Sequence, residues 1–473
     1  MLFNSLAYAV FLPVVLLIYY SLAHRAQNVF LLAASYVFYG WWDWRFLILV
    51  WISTLLDFGC SLGIESTRSP RLRRAFVLTA VTGNLCMIGA FKYFNFFADS
   101  LAALAAAAGF HIDAITLRVA LPVGISFYTF QTMSYTIDVY RGRIRAVRNP
   151  VDFALYVTFF PQLVAGPIER ASTLIPQIQS RRIVRHEQLA SGMFLILLGL
   201  FKKMVIADNA APLVERVFSD PAACSAGQLL GGLYAFSAQI YCDFSGYSDI
   251  ARGSAHLLGF ELTENFQQPY LARNITDFWR RWHVTLSSWL RDYLYIPLGG
   301  NRHGTLMTYR NLMLTMLLGG LWHGANWTFV IWGGLHGAYL AVHKLACSNR
   351  PRVPQAALRS LGPALKTAAM TLLTFHLVAF TWIFFRSPDW ATAFAYCDGL
   401  LSLRGTWNIG AGPALAMMAL LALDLPQRLT GDHLALFHTR TTRHGRLWLA
   451  AGLLMGLIYL GVTRSASFIY FQF

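Results

Sequence analysis

The chain contains few charged residues, and acidic residues are especially scarce. Asp and Glu number 22 and Lys and Arg 38, so charged residues form 13% of the 473 positions while hydrophobic residues form 56%. A soluble globular domain carries about 25% charged residues, so these charges are too few to coat a water-soluble core of this size. Since a membrane span needs about 20 mostly apolar residues, the composition predicts an all-α, polytopic membrane protein.

Several catalytic and nucleotide-binding motifs are also absent from the sequence. The chain has no GxSxG elbow, no HExxH motif and no GxxxxGK[ST] or GxGxxG phosphate loop. Its six cysteines are scattered without a CxxC pair, and they therefore suggest no metal site. These absences argue against a nucleophilic-serine hydrolase and against an ATP-driven pump.

The net charge of +16 comes mainly from arginines that lie in clusters between apolar runs. This arrangement is typical of cytosolic loops that contact membrane lipid, and it disfavours a nucleic-acid partner. The Arg-rich stretch 273–310 is predicted to lie on the cytosolic side. The other predicted cytosolic loops are 65–75, 141–148, 181–187 and 436–446, and the predicted outward loops are 98–117, 208–226 and 386–407.

A single membrane domain, residues 1–473, with about eleven crossings is predicted from the apolar runs. Runs 29–41, 151–166 and 311–322 are too short to cross alone and are expected to be tilted or re-entrant. The first run lacks a basic n-region and a cleavage site, so it is expected to be a retained helix. The apolar runs are 6–22, 29–41, 45–63, 76–97, 118–138, 151–166, 189–207, 227–258, 311–322, 326–346, 367–385, 411–425 and 447–463.

The stretch Asp277–His336 joins basic to apolar sequence and contains the Trp-His pairs Trp282-His283 and Trp322-His323. A histidine within an apolar segment is costly unless it faces a cavity or a partner. His323 therefore suits general-base chemistry near neutral pH, and His283 could position or polarise a reacting group. The alternatives are a packed His323 bonded to a backbone carbonyl and an interfacial His283 in an aromatic belt.

Other polar residues near these histidines are candidates for substrate binding. The arginines of the stretch could bind the phosphates of a nucleotide-bearing substrate, or equally contact anionic lipid. Asp243 lies in an apolar run, where a carboxylate needs a partner, and a structural ion pair is its alternative role. The candidate substrate-binding residues are Arg280, Arg281, Arg302, Asp243, Trp322 and Asn326.

Long runs spread along nearly the whole chain resemble the membrane-bound O-acyltransferase family, and within it the bacterial branch that O-acetylates alginate. The most specific are FFPQLVAGPIER, YCDFSGYSDIARG, the run from ITDFWRRWH to LGGNR, and GGLWHGANWTFVIWGGLHG. They occupy residues 159–170, 241–253, 275–302 and 319–337; further matches are 34–46, 122–142, 199–209 and 381–387.

The resemblance implies a helical ring with a central tunnel, with His323 as the catalytic residue and His283 as its partner. It further implies acetyl-CoA as the donor and no permanently bound cofactor. The acetyl group would pass to a periplasmic acetyltransferase or SGNH-type partner protein and on to a secreted polysaccharide, alginate in the first instance. Peptidoglycan and cellulose are alternative acceptors, and the implied location is the bacterial inner membrane, crossed several times.

Two functions from other classes remain open on the residues alone. Asp243, Asp249, Lys202 and His323 could form the proton or substrate path of a transporter. The absence of visible inverted repeats disfavours that hypothesis. A scaffolding subunit of a secretion complex is the second alternative.

Overall fold

The computed structural model describes residues 1–110, 116–117, 122–164, 166–347, 361–438, 443–462 and 468–469. Every regular element within these ranges is helical, which confirms the predicted all-α class. The described residues divide into two compact units, one of Met1–Ile196 with Ser248–Thr263 and the other of Leu197–Tyr247 with Glu264–Phe473. The single-domain expectation stays a prediction. The start of run 118–138 and part of loop 436–446 lie outside the described residues.

The first unit is built from helices α1–α10, the last of which ends in the second unit. Short 3₁₀ and π segments at Trp44–Phe46 and Gly89–Tyr93 join neighbouring helices. The helices are α1 Leu6–Ser21, α2 His24–Asp43, α3 Leu47–Ser66, α4 Pro70–Ile88, α5 Phe94–Ala107, α6 Ile125–Tyr140, α7 Pro150–Thr158, α8 Phe160–Leu163, α9 Ala171–Gln179 and α10 His186–Leu200.

The second unit contains helices α11–α21, except that α12 ends in the first unit. A π segment, Phe201–Ala207, precedes α11, and another, Arg291–Tyr295, follows α14. The helices are α11 Asp208–Ser219, α12 Ala226–Leu257, α13 Ile275–Trp279, α14 Val284–Leu290, α15 Gly304–His323, α16 Trp327–Cys347, α17 Leu361–Arg386, α18 Trp390–Leu401, α19 Ala411–Thr430, α20 Ala435–His438 and α21 Arg443–Leu460.

Four described helical runs are long and apolar enough to cross a membrane: His24–Ser66, Pro70–Ala107, His186–Ser219 and Ala364–Arg386. Run 29–41, expected to be a short tilted segment, lies inside the first of them. Run 311–322, also expected to be a short segment, forms the C-terminal part of α15, a 20-residue helix. The helix begins before the run because the more polar residues that precede it include no proline. Helices α7 and α8 do divide run 151–166, since Pro161 has no N–H for a continuous helix.

A buried polar cluster joins α3, α4 and α6 in the first unit. The Asn84 amide and the Thr136 hydroxyl donate hydrogen bonds to the Asp57 carboxylate, at 2.6 and 2.5 Å. Ser53 donates to the Asn84 carbonyl oxygen at 2.8 Å. A buried carboxylate without such donors would be strongly destabilising, so this cluster specifies how the three helices pair.

Glycines let α15 and α16 approach closely in the second unit. A Cβ atom at Gly320 would overlap the carbonyl oxygen of Phe329, and one at Gly333 would overlap that of Met316. Each glycine therefore faces the backbone of the opposite helix, and neither position has room for a side chain. This contact holds the C-terminal end of α15, where Trp322 and His323 lie.

We predict that Gly333→Ala destabilises the protein by about 1–3 kcal/mol, because the methyl group would force the two helices apart. Gly334→Ala is the matched control, since its Cβ would lie 3.5 Å from a Leu317 methyl, an ordinary contact. Thermal unfolding of the detergent-purified variants measures the difference. Equal unfolding midpoints for the two variants would contradict the proposed packing constraint.

Candidate active site

His323 is the last residue of α15, and its side chain is buried at 3% exposure. Gly324 continues in extended conformation, and a side chain there would overlap the Phe329 ring. Asn326 then caps α16 by accepting a hydrogen bond from the Thr328 N–H at 3.0 Å. The helix C-terminus favours positive charge, so it stabilises the imidazolium that His323 would form on taking a proton.

Three aromatic rings surround the His323 imidazole. The ring centroids of Trp322 and Trp332 each lie 5.0 Å from it, and that of Phe385 lies 5.4 Å away. The interplanar angles of 81°, 85° and 69° make all three contacts edge-on. These rings exclude water from His323, and in such surroundings electrostatic and hydrogen-bonding interactions are stronger than in water.

His283 is placed by an unusual backbone conformation. Its φ of 43° and ψ of 56° are left-handed, a conformation that residues other than glycine seldom adopt. The residue directly precedes α14, and the Val284 N–H bonds to the Asn265 carbonyl at 2.9 Å. The imidazole Nδ1 lies 3.0 Å from the side-chain oxygen of Asn265. The segment before α13 therefore fixes both the backbone and the ring of His283.

The bond to Asn265 also assigns the His283 tautomer. Because an amide oxygen only accepts, Nδ1 carries the proton and Nε2 carries the lone pair. Burial lowers the pKa of His283 to about 3, so the ring is neutral near pH 7. A neutral ring in this tautomer accepts a hydrogen bond at Nε2, which suits holding a hydroxyl better than polarising a carbonyl.

Trp322 lies against both histidines. Its ring centroid is 6.0 Å from that of His283 and 5.0 Å from that of His323. The two histidines, far apart in sequence, thus both contact the Trp322 indole in the second unit. This arrangement places Trp322, a predicted substrate-binding residue, in contact with both imidazoles.

A cavity of about 970 Å³ lies beside these elements in the second unit. Its walls carry three basic side chains, Arg280, Arg291 and Lys344, and none of the described lining residues is Asp or Glu. Asp292, outside the lining, forms an ion pair with Arg291 at 2.7 Å. The volume suits a ligand of drug-like or nucleotide size, and the cationic walls favour an anionic one. The other lining residues are Thr276, Trp279, Val284, Ser287, Ser288, Leu290, Tyr295, Asn301, Leu312, Thr315, Met316, Leu340 and His343.

The predicted arginines occupy different surroundings. Arg280 lines the cavity, whereas Arg281 forms an ion pair with Asp277 at 2.8 Å. Arg302 is exposed in the turn after the π segment and does not line the cavity. Asn326, predicted to bind substrate, donates to the Pro388 carbonyl at 2.7 Å besides capping α16.

Asp243 belongs to a buried ion cluster. The Lys203 ammonium lies 2.8 Å from Asp243 and 2.9 Å from Asp208, and all three side chains are at most 3% exposed. The Ile469 N–H donates to the second oxygen of Asp243 at 2.8 Å. Phe244, the next residue, has its ring centroid 4.8 Å from that of His283. The structure therefore gives Asp243 the ion-pair environment that was one of its predicted alternatives.

Sequence reasoning missed several residues at this site. Asn265 precedes His283 without any periodic relation to it, so no pattern could have paired them. Trp332 lies in an apolar run that is typical of a hydrophobic core, yet its ring contacts His323. Its ring centroid also lies 5.7 Å from that of Trp279 in the cavity wall. Lys344 lies near the end of an apolar run, where a lysine usually extends to the membrane surface, so its position in the sequence did not indicate that it lines a cavity.

Comparison with known proteins gives one consistent result. The family model described as MBOAT, membrane-bound O-acyltransferase family, matches residues 114–385. A probable alginate O-acetylase of Pseudomonas aeruginosa is 44% identical over 402 residues, 84% of this chain and 74% of the relative. A peptidoglycan O-acetyltransferase of Helicobacter pylori is 37% identical over 86% of this chain and 80% of its own length. A teichoic acid D-alanyltransferase of Streptococcus thermophilus is 27% identical over 56% of this chain and 68% of its own.

The buried, neutral His283 leads to a prediction about acid stability. Its folded-state pKa of about 3 lies below the ordinary value of 6.5. The unfolded chain therefore binds a proton at His283 more readily than the folded protein does, and the folded state has the full contribution of the neutral ring only above pH 6.5. That contribution is lost progressively as the pH falls from 6.5 towards 3. We predict that His283→Gln loses less stability than the wild type between pH 7 and pH 5, measured by thermal unfolding.

The exposed His303 provides the matched control for the replacement of a histidine by glutamine, as His303→Gln. Identical pH dependence in wild type and His283→Gln would show that His283 does not carry this acid sensitivity.

Proposed function

This chain belongs to the membrane-bound O-acyltransferase family and is an acyltransferase, and on that premise we propose that it is an O-acetyltransferase that uses acetyl-CoA. The acetyl group moves from cytosolic acetyl-CoA across the membrane to an extracytoplasmic acceptor. The product is an O-acetylated secreted polysaccharide. The observation that carries the proposal is the convergence of His283 and His323 on Trp322 in a dry aromatic site, within a unit that also contains a cationic cavity.

The proposed reaction needs one proton acceptor and a way to orient two substrates. His323 takes the proton of the acceptor hydroxyl as its oxygen attacks the thioester carbonyl carbon. The C–S bond then breaks, and the imidazolium returns the proton to the departing CoA thiolate. His283 accepts a hydrogen bond at Nε2 from a second O–H or N–H group of the acceptor and so orients it, since the reacting hydroxyl gives its only proton to His323. General-base catalysis supplies about 10²–10⁴-fold, and positioning in a dry site adds to it.

The cationic cavity is the proposed donor site. Arg280, Arg291 and Lys344 are suited to the phosphates of CoA, because cationic side chains form strong, charge-assisted hydrogen bonds to phosphate. Trp279 in its wall contacts Trp332, and Trp332 contacts His323. This series of rings connects the cavity wall to the proposed base. Arg281 and Arg302 remain proposed contacts for the outer part of the donor.

The membrane arrangement follows from the same proposal. The chain crosses the bacterial inner membrane about eleven times and surrounds a tunnel, with the Arg-rich stretch 273–310 on the cytosolic side. Four long apolar helical runs support the membrane location. On the outer side, a periplasmic acetyltransferase or SGNH-type partner protein receives the acetyl group.

The proposed acceptor polysaccharide is alginate. Support comes from the name of the 44% identical Pseudomonas aeruginosa relative, a probable alginate O-acetylase. Peptidoglycan is the second candidate, because the Helicobacter pylori relative, 37% identical, is a peptidoglycan O-acetyltransferase. Analysis of ester-linked acetate in the exopolysaccharide and in the cell wall of a deletion strain separates the two.

We predict that His323→Ala lowers transfer of labelled acetyl from acetyl-CoA by about 10²–10⁴-fold, because the proton acceptor is lost. Membranes that contain equal amounts of each variant are assayed with the acceptor fraction. His186→Ala, at an exposed histidine, is the matched control and should retain activity.

Undiminished acetyl transfer by His323→Ala would overturn the catalytic assignment. Proton-coupled solute uptake by reconstituted vesicles, without any acyl transfer, would instead support the transporter alternative.

We predict that Arg280→Ala and Lys344→Ala each raise the KM for acetyl-CoA by about 10- to 100-fold, with a smaller change in kcat. The reason is the loss of a charge-assisted hydrogen bond to phosphate, worth about 1.5–3 kcal/mol. Arg148→Ala, in another predicted cytosolic loop, is the matched control for loss of an exposed arginine. A KM that rises equally in all three variants would indicate a general effect of charge and contradict the donor site.

A further inference from the structure

One face of α15 extends from the cavity to Trp322 and His323. Leu312, Thr315 and Met316 line the cavity, and residues three and four positions apart lie on the same side of a helix. The same face continues through Gly319 to Trp322 and His323. At about 1.5 Å per residue, Met316 and His323 are separated by roughly 10 Å along the helix axis. One side of α15 therefore carries both the cavity-lining residues and His323.

Leu290 stands beside this face at Gly319. It is the last residue of α14, it lines the cavity, and it is 6% exposed. A Cβ atom at Gly319 would lie 3.1 Å from the Leu290 Cδ1 methyl. Among the described residues outside α15's own backbone, no other heavy atom comes within 4 Å of that position. The Leu290 side chain therefore limits the space beside Gly319 on the side that faces α14.

A glycine inside a helix costs about 1 kcal/mol relative to alanine, so its presence here needs a reason. Gly320, the next residue, has one in the backbone contact with α16. Gly319 makes no such contact and only leaves room beside Leu290. The pair thus lies at the contact between α14, which begins after His283, and α15, which ends at His323.

We propose that Leu290, packed over Gly319, restricts the transferred acyl group to a short chain such as acetyl. The inference rests on the proposed use of an acyl-CoA donor and deepens it by naming the residues that select the acyl length. Every additional methylene of a longer donor has to occupy the space that the Leu290 methyl groups fill. A pocket of this kind discriminates about 10- to 200-fold per methylene.

The experiment compares kcat/KM for acetyl-CoA and butyryl-CoA with the full-length, detergent-purified protein. The wild type is expected to favour acetyl-CoA. Leu290→Ala is expected to raise the butyryl-to-acetyl ratio by about 10-fold or more, since it opens space beside Gly319. Leu290→Val removes fewer side-chain atoms than Leu290→Ala and should shift the ratio in the same direction by a smaller factor. The ratio does not depend on how much of each variant is folded.

Gly319→Ala tests the other side of the Leu290–Gly319 contact. Its methyl group would crowd Leu290, so acetyl transfer should fall several-fold while the butyryl-to-acetyl ratio does not rise. The double variant Leu290→Ala with Gly319→Ala should regain acetyl transfer, because the crowding atom is gone. Recovery of this kind is not expected from two independent structural defects.

Leu286→Ala is the matched control, because Leu286 is a buried leucine of the same helix that does not line the cavity. An unchanged ratio in both Leu290 variants, or an equal rise in Leu286→Ala, overturns the proposal. If wild-type acetyl transfer depends on His323 while the ratio stays unchanged, only this inference fails. If the wild type transfers no acetyl from acetyl-CoA, the proposed function fails and this inference with it.

Discussion

The backbone contact between α15 and α16 is the constraint on which the candidate site depends. Gly320 and Gly333 allow the two helices to approach so closely that neither can carry a side chain there. The approach brings Trp332 of α16 against His323 at the end of α15. In a membrane the hydrophobic effect does not hold helices together, so close packing through small residues has to do so. The position of the proposed base is thus set by glycines that take no part in the chemistry.

The two histidines are prepared for different tasks by their surroundings. His323 ends a helix and is surrounded by aromatic rings, and the helix terminus favours the charge that a base acquires. His283 is locked by Asn265 into one tautomer and kept neutral by burial, so its Nε2 offers a lone pair to a hydrogen-bond donor. Trp322 contacts both rings. A base and a neutral hydrogen-bond acceptor beside one indole match the needs of acyl transfer to a hydroxyl.

The buried ion cluster of Lys203, Asp208 and Asp243 near this site is held by charge rather than by aromatic packing. Lys203 is paired with both Asp208 and Asp243, and the carboxylates outnumber the ammonium group. Breaking a buried pair by removing one partner is strongly destabilising. The aromatic neighbour of Asp243 packs against His283, so the cluster supports the back of the site. The polar cluster around Asp57 serves the first unit in the same way, by giving each buried polar group a partner.

The sequence by itself determined the class of the protein, because too few charges are present to coat a soluble core. It also made the histidines at 283 and 323 candidates, since ionisable residues beside apolar runs are costly without a purpose, and the family resemblance favoured both. Tertiary structure decided the rest: that Arg280 lines the cavity while Arg281 pairs with Asp277, and that Asn265 orients His283. It also placed Leu290 against Gly319. These relations join residues distant in sequence or on separate helices, and such contacts leave no periodic signal in the chain.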